Sequence, residues 1–226
     1  IERDRPHESQ KQNRAAAEPI GHASPHRCEE KLHERKRRHE QSECRAIGDT
    51  IADDLNKKGI KAETIGHLSW QSTVSEIVKA RAANANDHLV LVGHSQGANN
   101  VIDMARLLEK EKISVDLLVT LAPMMQDPVP RNVAWAINYY HSPGWGAPVS
   151  AEPGYRGKLS NVNLGGDVGI SHMTMDKSSK IQGEIERAIL AVAAKVTHSQ
   201  KNLGVFLAVI VAVPLALVGR AGLGRL

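Results

Sequence analysis

The stretch that most constrains the fold lies near the middle of the chain. Four apolar residues, Leu89–Val92, run directly into Gly93-His94-Ser95-Gln96-Gly97, and a segment of helical period follows from Ala98 to Glu111. The pattern predicts a buried strand, a sharp turn and a helix. We call the pentapeptide 93–97 the elbow. Its two glycines leave room for a strained serine backbone, so the Ser95 hydroxyl is expected at the top of a sheet.

The first 45 residues differ from the rest of the chain. Charges of both signs alternate there and no apolar face survives, which predicts a disordered or solvated-helix extension over 1–45. Glutamates interrupt the basic run 35–38, and the net charge of +4 is mild, so no nucleic-acid partner is expected. The histidines and cysteines between 22 and 44 lack the spacing of a zinc site. We therefore expect neither a metal nor a cofactor.

Residues 46–197 read as one globular domain in which strands and helices alternate. Near-continuous apolar runs at 88–92, 115–121 and 133–140 are typical of strands buried in a parallel sheet. Helical periods separate them, and a final amphipathic helix is predicted to open at Asp176, a favourable N-cap residue. The expected fold class is α/β, a mostly parallel sheet with flanking helices.

A loop rich in glycine and proline spans residues 141–160, after one of these strands. Ligands of α/β proteins bind outside the carboxyl ends of strands. We therefore expect this loop, with Trp145 and Tyr155, to form the rim of a substrate site, although an ordered surface loop is the simpler alternative.

The tail carries no charge from Leu203 to Val218. A helix of this length reaches the short end of what a bilayer core requires. The sequence predicts a transmembrane helix over 203–219 and membrane association through it. Without such a helix the expected location is cytoplasmic, because the first residues lack the apolar core of a secretory signal. A buried helix or strand pair is the alternative for the tail.

Ser95 becomes a nucleophile only when a base removes its proton and a third group orients that base. His172 is the preferred base because it follows the last predicted strand, with His141 as the fallback and His94 interpreted as structural. The acid stays open between Asp127, preferred because it follows the strand next to the elbow strand, and Asp167.

The elbow, the alternation of strands and helices around it and the late His172 resemble the α/β-hydrolase superfamily, in particular small lipase-, esterase- or thioesterase-like members. The resemblance implies a serine hydrolase that cleaves a small-molecule acyl ester or thioester through an acyl-enzyme on Ser95, with the Gln96 N–H in the oxyanion hole. Such enzymes carry an apolar strand before this region, and the charged segment 28–45 stands in that place here. The alternative is a non-catalytic binding or scaffold protein of the same fold, tethered to a membrane.

Overall fold

A six-stranded sheet, parallel throughout, forms the centre of the fold. The computed structural model describes residues 47–83, 88–199 and 206–212. The strands are β1 (Lys61–Gly66), β2 (His88–His94), β3 (Leu117–Leu121), β4 (Trp135–Tyr140), β5 (Lys158–Asn163) and β6 (Phe206–Ala212). The helices are α1 (Ile47–Lys57), α2 (Trp70–Ala83), α3 (Gln96–Lys110) and α4 (Ser179–Ser199), with a 3₁₀ turn at Met175–Lys177.

Helices cover both faces of the sheet because its central strands are apolar on both sides. Along β2, Leu89 and Leu91 pack against α2 and α3, whereas Val90 and Val92 pack in the other core, with α1 and α4. The alternation follows from the two-residue period of a strand. Together these contacts build an α/β fold of three layers, as the sequence predicts.

The strand order is β1-β6-β2-β3-β4-β5, so the last strand in the sequence is not at an edge. On one side of β6, Leu207 is the Cα partner of Lys61 on β1. On the other side, Phe206 is the Cα partner of His88 on β2. All carboxyl ends of these parallel strands meet at one edge, which we call the carboxyl edge. The elbow follows β2 at this edge, with β6 and β3 on either side of β2.

The structure corrects the prediction of a helix over 203–219, since Phe206–Ala212 form strand β6. Periodicity cannot separate a short buried strand from a buried helix in an uninterrupted apolar run. Valine and isoleucine at 209–211 favour a strand, and β1 and β2 offer backbone groups to pair with. The rest of the predicted span, 203–205 and 213–219, lies outside the described residues, as does segment 1–46.

None of the helices within 47–83 and 88–199 is both long and apolar enough to cross a membrane.

A second correction concerns the start of the last helix. Asp176 lies inside the 3₁₀ turn rather than at an N-cap, and α4 begins three residues later, at Ser179. Asp176 is buried, so its carboxyl group belongs to the interior behind the elbow.

Candidate active site

The backbone at Ser95 has the strained conformation that the elbow sequence predicts. Its φ is 56° and its ψ is −121°, a combination that costs energy for any residue with a side chain. The Ser95 N–H donates a hydrogen bond of 2.9 Å to the Leu121 carbonyl oxygen at the end of β3. A Cβ on Gly93 would overlap the backbone of Gly97, so the two ends of the elbow touch. The turn therefore requires glycine at 93.

Gln96 is the first residue of α3 and is exposed. The first N–H groups of a helix have no partner within the helix, and the helix dipole adds a positive field at that end. The Gln96 N–H is therefore available to an oxyanion that develops next to Ser95.

The His172 ring lies next to the elbow. Its ring centroid is 5.1 Å from that of His94, the neighbour of Ser95, and 4.6 Å from that of Trp145. Burial lowers the pKa of His172, and the nearby His94 lowers it further. The Nδ1 atom of His172 is buried and has no hydrogen-bond partner within the described residues. The ring is thus held mostly in its neutral form, the form in which a base accepts a proton.

His94 is bonded to the loop that carries His172. Its Nε2 is 2.9 Å from the main-chain oxygen of His172, and its Nδ1 is 3.8 Å from Oδ2 of Asp176. Only 13% of the His94 side chain and 7% of the Asp176 side chain are exposed. Sequence reasoning missed Asp176 in the site, although its position four residues after His172 was visible in the sequence.

The two predicted acids lie in other contacts. Asp127 accepts a 2.8 Å hydrogen bond from the side-chain amide of Asn99 on α3. Asp167 forms an ion pair of 3.1 Å with Lys180 on α4. Neither carboxylate is within hydrogen-bond or ion-pair distance of His172 in the described part of the chain. The choice between them as the acid stays a prediction.

The loop after β4 brings only one of its two predicted rim residues to the elbow. Trp145 stacks beside His172, and its backbone forms two hydrogen bonds with His141, the fallback base. The His141 Nδ1 lies 3.1 Å from the Pro143 carbonyl oxygen, so this side chain supports the turn. Tyr155 instead donates to the Lys158 carbonyl oxygen and packs against the core below α3.

Exposed apolar side chains gather at the carboxyl edge. Among residues 50–83 and 88–194, every large apolar side chain that is exposed lies in a loop that follows a strand. The six are Leu68 after β1, Met124 and Met125 after β3, Trp145 after β4, and Val168 and Met173 after β5. An exposed apolar surface at one edge of a fold is a common sign of a binding site.

Comparisons with protein-family models, with curated proteins and with solved structures found no match to this chain. The function must therefore be argued from the geometry of Ser95, His172 and their neighbours.

Proposed function

We propose that the protein is a serine hydrolase that cleaves an ester or thioester through an acyl-enzyme on Ser95. The observation that carries this proposal is the strained backbone of Ser95 between β2 and α3, with the His172 ring beside the preceding residue. Strain of this kind persists only where the surrounding structure enforces it, and it concentrates at functional sites. A serine nucleophile and a neutral histidine that can reach its hydroxyl are the minimum that acyl transfer requires.

In the proposed reaction the Ser95 oxygen attacks the acyl carbonyl while His172 accepts the hydroxyl proton. The negative charge that develops on the carbonyl oxygen is stabilised by the Gln96 N–H at the start of α3. His172 then gives the proton to the leaving alcohol or thiol, and the C–O or C–S bond breaks. Water, deprotonated by His172, attacks the acyl-enzyme and releases the acid and free Ser95.

The parallel sheet and the position of the elbow support a hydrolase-like version of the α/β fold. The sequence before α1 offers no apolar strand, yet β2 has a parallel neighbour on each side because β6 lies between β1 and β2. We infer that β6 takes the place of the strand that the resemblance would put before α1. In that place β6 would support β2, the strand that leads into the elbow, on the side away from β3.

The acyl group that this site would take is apolar. The loops around Ser95 expose methionines 124, 125 and 173 together with Trp145. Methionine side chains are flexible and adapt to apolar ligands of varied shape. Alkyl esters should therefore react better than esters of charged acids.

A second candidate function, a binding module without catalysis, is favoured by one feature of the site. The Ser95 hydroxyl makes no hydrogen bond to His172 in the described residues, and the buried Nδ1 of His172 has no acid partner there. Catalytic hydrogen bonds are often loose in the absence of substrate, so the same geometry is also compatible with catalysis. A membrane tether through 203–219 would require β6 to leave the sheet.

Substitution of Ser95 by alanine distinguishes the two functions. The purified chain is assayed with p-nitrophenyl esters of graded chain length and labelled with a fluorophosphonate. We expect turnover and labelling in the wild type, loss of both in Ser95→Ala, and a loss of at least about 1000-fold in turnover for His172→Ala. The fold of each variant is checked by circular dichroism. Equal turnover in Ser95→Ala and the wild type would refute the proposal.

A further inference from the structure

We infer that His94 and Asp176 form a buried positioning pair that holds the catalytic loop of His172 against the elbow. The inference rests on the proposed function, in which His172 is the base. It assigns a role to two residues that take no part in the reaction themselves. His94 contacts both Asp176 and the main chain of His172.

The hydrogen bond to His172 fixes one proton of His94. A carbonyl oxygen can only accept, so the Nε2 of His94 must donate to the His172 oxygen, 2.9 Å away. The other ring nitrogen, Nδ1, then faces Oδ2 of Asp176 at 3.8 Å.

Asp176 is held behind the elbow by His94. Its carboxyl group is buried, and Oδ1 has no hydrogen-bond partner in the described part of the chain. Burial raises the pKa of Asp176, and the nearby His94 and Lys177 oppose this rise. Because a buried carboxyl group is costly without a polar partner, the contact with the His94 ring fixes the place of Asp176.

The pair links the nucleophile and the base mechanically. His94 is joined to Ser95 by a peptide bond and to the His172 backbone by the Nε2 hydrogen bond. A short network holds the other side of this loop: the Ser171 N–H donates to Thr174 Oγ1, whose hydroxyl donates to the Gly169 oxygen. The distance between Ser95 and His172 therefore depends on the His94 side chain.

The same pair acts on the charge of His172. The titratable group whose ring faces His172 is His94, at the end of β2, with Asp176 and Lys177 behind it on the 3₁₀ turn. The loop after β4 contributes the uncharged Trp145. Burial among these groups lowers the pKa of His172, and the proximity of His94 lowers it further.

The test measures the titration of His172 by NMR of its ring carbons, in the wild type and in His94→Gln and Asp176→Asn. Both variants loosen the contact that holds the His172 loop at the elbow, and a looser loop gives the His172 ring more water. Because burial is the main cause of its lowered pKa, the titration midpoint of His172 should rise in both variants, and the acid limb of kcat/KM should move to higher pH. His94→Gln also removes the ring that lowers the pKa of His172 further, so its shift should be the larger one. We also expect kcat to fall, by up to about 100-fold in Asp176→Asn, with KM nearly unchanged. His94→Gln keeps an amide donor for the His172 oxygen, so it should retain more activity than His94→Ala.

A matched control lies on the same strand. At the other end of β2, His88 Nδ1 is 2.9 Å from Asp116 Oδ1, a second histidine–aspartate pair far from the carboxyl edge. His88→Gln and Asp116→Asn should leave the midpoint of His172 where it is.

The outcomes separate this inference from the proposed function. If the wild type neither hydrolyses esters nor labels, the proposed function fails, and the midpoint of His172 still tests the pair. If the midpoint is the same in wild type, His94→Gln and Asp176→Asn, the pair is refuted whatever the activity. Should one variant unfold, the other decides.

Discussion

Ser95 and Ala122 are strained in the same way and at corresponding places. Their φ values are 56° and 44°, and each residue directly follows a strand, β2 and β3. The Ala122 N–H donates 2.8 Å to the Tyr139 oxygen of β4, as the Ser95 N–H does to Leu121 of β3. Each strand end is thus tied to the next strand, which holds the turn residue in a conformation that it would otherwise avoid.

Gly93→Ala tests how closely the elbow is packed. The new methyl group would overlap the Gly97 carbonyl group, and backbone cannot move aside as a flexible side chain can. We expect labelling of Ser95 to fall by at least about 10-fold and the free energy of unfolding to fall by about 1–3 kcal/mol. Urea unfolding measures the second effect.

Gly166→Ala is the control for that substitution. A Cβ there meets nothing within 4 Å, so both quantities should stay close to the wild-type values. Equal labelling of Gly93→Ala and wild type would show that the elbow is looser than the structure indicates.

Single residues also show how much of the candidate site can be predicted from the sequence. Ser95 and His172 were predictable because a local pattern fixes the first and chain order the second. The contacts of Asp176 and Asn99 were not predictable, because each depends on a partner distant in sequence. Asp176 contacts His94, and Asn99 contacts Asp127.

A row of polar side chains crosses three strands at the same register. Thr120 on β3 donates to Asn138 on β4, and Asn138 donates to Asn161 on β5, with distances of 2.9 and 2.8 Å. Asn138 also donates to the Ala147 oxygen, and Asn161 exchanges two hydrogen bonds with the Val149 backbone. The row therefore attaches the loop that carries Trp145 to the sheet.

Asn138→Ala should release that loop. The substitution removes an amide that is 1% exposed and leaves the buried Thr120 hydroxyl without its acceptor. The expected loss in free energy of unfolding is about 1–3 kcal/mol, measured by urea unfolding. The fluorescence of Trp145, compared with that of Trp145→Phe, should report a more mobile ring.

Ser160→Ala on β5 is the matched control, since Ser160 is only half-buried. Its stability should equal that of the wild type. A stable Asn138→Ala with unchanged fluorescence would show that the row is not what holds the loop.

Helices and strands differ in how far their own sequence determines their secondary structure. Ile51 and Leu55 carry the period of α1, and the elbow that follows the short apolar run of β2 marks that run as a strand. β6 had no such mark, because the uncharged run 203–218 is longer than a strand and no elbow follows it. The place between β1 and β2 decides in favour of a strand there, and that place is a property of the whole sheet.

At the scale of the molecule, β6 joins two parts of the sheet: among the described strands, β1 pairs only with β6. A chain that ends at Ser199 would leave β2 with an open edge and β1 without a partner. Open apolar edges pair with other chains. We expect this truncated chain to aggregate and to lose cooperative unfolding.

Size-exclusion chromatography and thermal unfolding would show the effect, with a chain ending at Gly219, which retains β6, as the control. A monomeric, cooperatively folded 1–199 chain would contradict the place of β6 in the sheet.

The position of β6 also sets the order of events as the chain leaves the ribosome. Lys61 and His88 pair with Leu207 and Phe206, which are synthesised more than 100 residues later. Contacts this distant in sequence make folding slow. The strand that presents Ser95 must therefore wait, with one side unpaired, until β6 has been made, and over that interval it is exposed to misassembly. The yield of active protein in a cell should therefore depend on chaperones that shield nascent chains.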